Sequence, residues 1–244
     1  MDAILSQPSK DKFQVLPHTE YVTIEHITPT HVSRNPLDQF RSWFKEAVEG
    51  GEVNEPEAMS LSTATPSGIP SARIVLLKQV DSRGFVFFTN YTSRKSQEII
   101  ANPHAALVFY WREVHRSVRV VGSVEKLSRG ESDAYFRSRP VGSKLGAWAS
   151  RQSTVIEEGE LEDRLKAMSD RFSDREVPTP DFWGGWRVIP MYATQIYLTS
   201  RTPISLKNQG KWNSGVESRP DCMTVFVTSA PTILLLPMEI LPGE

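Results

Sequence analysis

The chain has 244 residues, with 28 basic and 29 acidic side chains, a formal net charge of -1, 39% hydrophobic and 23% charged residues. That balance fits a globular chain able to bury one large core or two small ones; it excludes a disordered polyelectrolyte and a mainly electrostatic nucleic-acid binder. No window approaches the roughly 18 consecutive apolar residues of a membrane span, and a single cysteine, Cys222, excludes an internal disulfide and a four-cysteine zinc site.

A reduced, cytoplasmic setting is therefore the default expectation. The opening residues lack a basic start followed by an apolar core, so no secretory signal is expected. Residues 1–34 are polar and weakly patterned and read as a mobile or docking arm. Regular structure is expected from Asn35-Pro36. Asn35 can cap a helix, Pro36 suits its first turn, and Phe40, Trp43, Phe44 and Val48 follow at helical spacing up to Gly50-Gly51.

Strands are expected at 58–64, 71–80 and 85–89, separated by the turn signals Thr65–Gly68 and Asp81–Gly84. A helix over 93–102 stops at Asn102-Pro103. Two further strands cover 105–111 and 117–126; in the second, Val118, Val120 and Gly122 alternate with Arg119 and Val121, which leaves one face polar. Helices follow at 129–138 and 157–172, the latter with Leu161, Leu165 and Met168 on one face. Short strands interrupted by helices predict an α+β protein: a small antiparallel barrel with helices at its ends, occupying 35–189. After Pro190 the composition shifts. Residues 190–244 hold 8 of the 57 charged residues but 6 of the 17 prolines, and helical periodicity is gone. The apolar run Thr232–Pro237 reads either as a buried strand or as sequence not selected for folding.

Several constellations carry possible chemistry. In 73–78 (RIVLLK), strand alternation puts Arg73, Val75 and Leu77 on one face and Ile74, Leu76 and Lys78 on the other. Taken alone, this is a solvated strand with cationic ends. Residues 89–95 (TNYTSRK) join a strand to a helix start, where Thr92, Ser93, Arg94, Lys95 and the first helical amides suit a phosphate. A capped surface helix with two solvated cations fits equally well. Tyr135 and Arg139 are four apart on a helix, with Ser143 beyond a turn; the trio suits a second phosphate ester, or a helix end whose arginine complements the dipole. Gln152 and Ser153 lie beside Trp148, and Phe182–Arg187 sets two tryptophans around a glycine pair, a pattern expected to serve packing.

No metal-ligand spacing joins the five histidines, and the nucleophile elbow and the dinucleotide glycine motif are missing. The basic group Arg112, Arg116 and Arg119 lacks an RNA-binding pattern around it and reads as a solvated strand edge.

Four segments in order, at 73–78, 87–95, 134–153 and 177–188, resemble the pyridoxine (pyridoxamine) 5′-phosphate oxidase family. The resemblance covers about 36–188. It implies an FMN-binding split β-barrel, a homodimer with flavin at the interface, and oxidation of pyridoxine or pyridoxamine 5′-phosphate to pyridoxal 5′-phosphate, with O₂ reduced to H₂O₂. It places Arg73, Thr89, Arg94 and Lys95 on the FMN phosphate and ribityl chain. It runs Ile74, Val75, Leu76, Leu77 and Lys78 along the flavin with Phe88 beside them, and brings Gln152 and Ser153 from the partner subunit. Lys78, Tyr135, Arg139 and Ser143 are implied for the substrate phosphate. Hydride passes to the flavin, so no catalytic side chain is expected and no metal.

The chain also departs from that family. Ser117 stands where a flavin-contacting glutamine is usual, and His18 where an arginine precedes Tyr21 by three. After about Pro190 the family's Phe-Trp pair and Arg-Leu-His-Asp-Arg segment are missing, and with them the residues that flank the flavin and the substrate ring. The loss coincides with the composition shift and reads as an altered frame, a retained intron or an alternative terminus. The expectation open beside an oxidase is a flavin- or vitamer-phosphate-binding barrel with little turnover.

Overall fold

The computed structural model describes residues 33, 35–114, 116–150 and 152–191, and the backbone of three strands at 5–9, 12–15 and 196–200. β1 (Leu5–Ser9) and β2 (Lys12–Val15) pair antiparallel, with Ser9 opposite Lys12. This corrects the expectation that regular structure starts at Asn35. A hairpin this short, with a two-residue connection, leaves too few residues for a hydrophobic period to show.

α1 (Pro36–Glu49) begins as predicted. The Asn35 side chain accepts the Leu37 N–H at 2.9 Å, and Pro36 occupies the first turn, where no helical partner for its nitrogen is needed. Leu37, Phe40, Trp43 and Ala47 form its buried face. Phe40 meets Phe85 edge-on at 4.8 Å and Phe109 at 5.0 Å, which seats the helix on the sheet. Gly51, at φ 67°, turns the chain away in the left-handed region that favours glycine.

β3 (Ala58–Ala64) and β4 (Pro70–Leu76) form a hairpin around the predicted Thr65–Gly68 turn. β5 (Gln79–Val80) and β6 (Phe85–Asn90) form another around Asp81, whose carboxylate accepts the Arg83 and Gly84 N–H groups at 2.8 and 3.0 Å. α2 (Arg94–Ala101) follows, then the hairpin of β7 (His104–Trp111) and β8 (Arg116–Lys126). Along β8 the buried Val118 and Val120 alternate with the exposed Arg119, as the pattern predicts. α3 (Arg129–Ser138) opens with a capping box between Ser128 and Glu131. α4 (Val141–Ala149), α5 (Glu160–Arg171), β9 (Trp183–Pro190) and β10 (Ile196–Ser200) complete the described elements.

The sheet order is β4-β3-β7-β8-β9-β6-β5, with β10 on β8. Residues 71–80, expected as one strand, are divided. The Leu77 N–H bonds Glu57 O at 2.8 Å, and the Lys78 N–H bonds Val86 O at 2.9 Å. Two adjacent residues thus serve opposite ends of the strand order, and that step curls the antiparallel sheet into a half-barrel. Its interior holds Met59, Leu61, Phe85, Phe87, Leu107 and Phe109. A second cluster, Phe136, Phe172, Val177 and Trp183, lies outside it under the helices.

Within 35–190, α4 and β9 escaped the sequence pattern. α4 follows Pro140 and contains Gly142 and Gly146, so its intrinsic helical propensity is low. It is held by packing instead, with Trp148 5.4 Å from the Phe172 ring. β9 lies between β6 and β8. A Cβ on its Gly184 would sit 2.1 Å from Tyr91 Oη, and one on Gly185 2.9 Å from Phe88. The glycines that make this close fit possible also lower the strand signal. β10 lies past the boundary expected at 190, and its Ile196–Ser200 pairs with Val120–Arg116. Cys222 and the run Thr232–Pro237 lie outside the described residues. Among the described residues, no helix is long and apolar enough to cross a membrane.

Phe40 is fully buried at the junction of α1 and the sheet. Truncation there leaves a cavity, so Phe40→Ala is expected to cost about 3–5 kcal/mol. Urea unfolding should show a lower midpoint at unchanged slope.

Candidate functional site

A cavity of about 850 Å³ opens between β4, β6, the start of α2 and the α3–α4 junction. From β4 and the step after it, Arg73, Ile74, Val75, Leu76 and Lys78 line it; from β6 and α2 come Phe88, Thr89, Arg94 and Lys95. Tyr135, Arg139 and Ser143 line it from the helices, and Gln152 and Ser153 from the segment after α4. Two expected residues are elsewhere. Leu77 is buried in the barrel core: the alternation of β4 continues to it, on the same face as Arg73 and Val75, and carries it inward past the cavity. Ser117 sits within the sheet, opposite Tyr110 on β7 and Thr199 on β10.

Glu98 organises the cations. Its Oε2 accepts Thr63 Oγ1 at 2.5 Å, Ser71 Oγ at 2.6 Å and Arg73 Nη2 at 3.4 Å, while its Oε1 accepts Arg94 Nε at 2.8 Å. Burial alone would raise its pKa. The hydrogen bonds from Ser71, Thr63 and Arg94 outweigh burial and hold the carboxyl down at about 2, against an ordinary 4.5. Arg73 is further engaged by Leu61 O at 3.1 Å and Thr63 Oγ1 at 2.7 Å. Two of the cavity's cations thus share one carboxylate.

Lys95 is different. Its side chain is buried and bonds Thr89 Oγ1 at 3.2 Å, Ser93 Oγ at 3.4 Å and Gln152 Oε1 at 3.1 Å. Among the described residues no carboxylate pairs with it. Burial, and secondarily Arg73, bring its pKa down to about 8 from 10.5. The first turn of α2 lies beside it, and the Arg94 N–H donates to Ser153 Oγ at 3.3 Å. A buried ammonium at a helix N-terminus with only neutral partners is suited to an anion. Gln152 and Ser153 reach this place from the same chain; the resemblance had implied a second subunit.

The other cluster is aromatic and cationic. Phe88 stacks on Tyr135 at 4.0 Å and on Trp183 at 5.4 Å, with all three rings nearly parallel. Arg139 lies over Trp183, its guanidinium carbon 4.9 Å from the ring centre. Its Nη1 is buried and has no hydrogen-bond partner among the described residues. Burial lowers the Arg139 pKa, with Tyr135 acting against it, and burial raises that of Tyr135, which favours its phenol form. Arg139 is the C-cap of α3, not a residue of its face, and Ser143 stands in the first turn of α4, not after a simple turn.

Sequence reasoning missed Glu98 and Trp183. Glu98 stands i+4 from Arg94, a spacing that signals a helical ion pair but not the reach of the same carboxylate to β4. Trp183 was expected to pack; it packs and also lines the cavity.

These features define the class: an α+β protein in which a curled antiparallel half-barrel and flanking helices enclose a cation-lined cavity. A family model described as pyridoxamine 5′-phosphate oxidase matches residues 44–172. A curated pyridoxine/pyridoxamine 5′-phosphate oxidase of Trichormus variabilis is 53% identical over 169 residues, covering 69% of this chain and 78% of the relative. One from Rubrobacter xylanophilus is 59% identical over 157 residues, covering 64% and 72%. Among solved structures, PhzG from Burkholderia lata, in complex with tetrahydrophenazine-1-carboxylic acid, matches with TM-score 0.64 at 27% identity, over 68% of this chain and 83% of that one. A pyridoxamine 5′-phosphate oxidase-related, FMN-binding protein of Nostoc punctiforme shares the fold at TM-score 0.51 and 15% identity, over 62% and 80%. The chain belongs to the pyridoxamine 5′-phosphate oxidase family, and its fold is the FMN-binding split barrel. At family level this places it among flavin oxidoreductases.

Because the Glu98 carboxyl titrates lower in the folded state, the stability it contributes is complete above 4.5 and is lost as pH falls toward about 2. Glu98→Gln should therefore flatten the acid limb of a stability–pH profile measured by urea unfolding between these values.

Proposed function

We propose that the chain is an FMN-dependent oxidase that converts pyridoxamine or pyridoxine 5′-phosphate to pyridoxal 5′-phosphate, with O₂ reduced to H₂O₂. The observation that carries this reading is the pair of separate anion-suited clusters in one cavity. The reaction requires two phosphate esters to be held at once.

Lys95, with Thr89, Gln152, Ser153 and the first amides of α2, would hold the FMN phosphate. Arg73 and Arg94, already engaged with Glu98, add positive field. The donor set fits, since a buried ammonium gains a dianion in place of neutral partners. Residues Ile74–Leu76 offer an apolar edge along the ring system. Arg139 has an unpartnered donor for the substrate phosphate, with Tyr135, Ser143 and Lys78 around the same cavity. When bound, the flavin supplies the acceptor for the substrate's hydride and passes the electrons to O₂. The chain's own contribution is to orient the two ligands and exclude water. Ile74 and Leu76 line the cavity yet are 66% and 37% exposed, which supports a homodimer that covers this edge.

One observation favours a second reading, a binding protein with little turnover. Residues 190–244 lack the Arg-Leu-His-Asp-Arg segment whose side chains the family resemblance sets around the substrate ring. Purification with and without FMN separates the two. A yellow protein that releases H₂O₂ with pyridoxamine 5′-phosphate supports the oxidase, and bound flavin without peroxide supports the second reading. Arg139→Ala should weaken substrate binding while the flavin stays bound; loss of flavin would contradict the division into two clusters.

FMN affinity should depend on Lys95 protonation. The free-site pKa of about 8 means that binding weakens as pH rises through that value. Fluorescence titration of FMN from pH 6.5 to 9.5 should show this, and Lys95→Met should lower affinity and remove the dependence on pH.

A further inference from the structure

Arg187 lies outside the cavity, with its side chain 5% exposed, and meets three carboxylates from three different elements. Its Nε donates to Asp81 Oδ2 at 3.0 Å, its Nη1 to Glu125 Oε1 at 2.6 Å and its Nη2 to Glu131 Oε1 at 3.0 Å. Burial alone would lower its pKa, but Glu125, Glu131 and Asp81 together raise it above the ordinary arginine value. The Asp81 carboxyl is held below its usual value; burial acts against this, and the Arg83 and Gly84 N–H groups and Arg187 outweigh it. Arg187 is thus a fixed charge.

The groups it grips flank the substrate cluster. Asp81 makes the turn three residues after Lys78. Glu131 is in the first turn of α3, four residues before Tyr135, the spacing that stacks two residues along one side of a helix, and Arg139 is the residue that caps the end of the same helix. Arg187 is on β9, four residues after Trp183, the ring beneath Arg139.

We propose that Arg187 is a positioning residue for the substrate phosphate: through Asp81 and Glu131 it fixes the spacing between Lys78 on one wall and Tyr135 and Arg139 on the other. The proposal rests on the functional reading above. It gives Arg187 no contact with either ligand and predicts an effect on substrate but not on flavin.

The test measures the Kd and KM of pyridoxamine 5′-phosphate, with the FMN Kd in parallel, on the flavin-loaded protein. Arg187→Lys keeps one charge but cannot serve three carboxylates. Glu131→Gln is the milder variant, because glutamine also serves in a capping box and so spares the start of α3. Both should raise the substrate Kd and KM by roughly tenfold or more, since small misplacements of binding groups carry large penalties. FMN affinity should stay unchanged and kcat should fall far less than KM rises. In an Arg139→Ala background, Glu131→Gln should add little, because the group it positions is gone. An unchanged substrate Kd in both variants, or equal losses of FMN and substrate affinity, overturns the proposal while the functional reading stands. A wild-type protein that fails to bind pyridoxamine 5′-phosphate overturns the functional reading itself, and this inference with it.

Discussion

The carboxylate of Glu98 decides which positive charges in the cavity are free for a ligand. It is one acidic group among three cations, and it sits where it can reach Arg73 and Arg94 but not Lys95. The cradle of Arg73, Arg94, Lys95 and Glu98 carries a net formal charge near that needed to balance a phosphate monoester, which bears ≈ −1.5 to −2 at neutral pH. Without Glu98, three like charges would face each other across a half-buried space, and the depression of the Lys95 pKa would deepen. The same carboxylate, through Oε2, accepts from Thr63 and Ser71, so the charge balance and the docking of α2 on the β3–β4 hairpin are one interaction.

That docking matters because of how the barrel is built. The chain leaves one end of the sheet at Leu76 and joins the other at Gln79. Ile74 and Leu76 on one side of this step, and Lys78 on the other, are thereby brought to a single cavity. The buried Leu77 anchors the step to the core. A flat sheet would hold these residues far from β6, and Phe88 and Thr89 would face nothing. Curvature brings the strand edge, the start of α2 and the α3–α4 junction within reach of one small molecule.

Much of this was legible in the sequence. Cap and proline placed α1, the two turn signals placed both hairpins, and alternation placed β8. The polar residues at 89–95 and 135–153 were legible as separate groups, and tertiary packing of α2, α3 and α4 brings them to one cavity. What was not legible depends on distant partners. The break at Leu77 answers to strand neighbours, since no glycine, proline or other turn residue marks it in the sequence. α4 and β9 contain glycines that lower local propensity, and those of β9 allow a close tertiary fit. Glu98 looks like half of a helical ion pair until β4 is laid against it. Arg187 looks like the last charge of an aromatic strand until three carboxylates, all more than 50 residues away in the chain, converge on it.

The described part of the chain also separates two tasks that a flavin enzyme combines. Both anion clusters are complete by Trp183: Lys95 has its neutral partners, and Arg139 has its aromatic bed. Among the described residues, neither uses one after β9. The side chains that the family resemblance sets around the substrate ring belong to the segment where this sequence departs. Holding two phosphates supplies proximity and orientation, which account for a large part of a rate enhancement when the reacting chemistry belongs to a cofactor. Flanking the ring supplies charge stabilisation as the hydride leaves. Under the proposed function, a chain with both anion clusters and an altered ring-flanking segment would separate binding from turnover, so affinity and rate must be measured separately here.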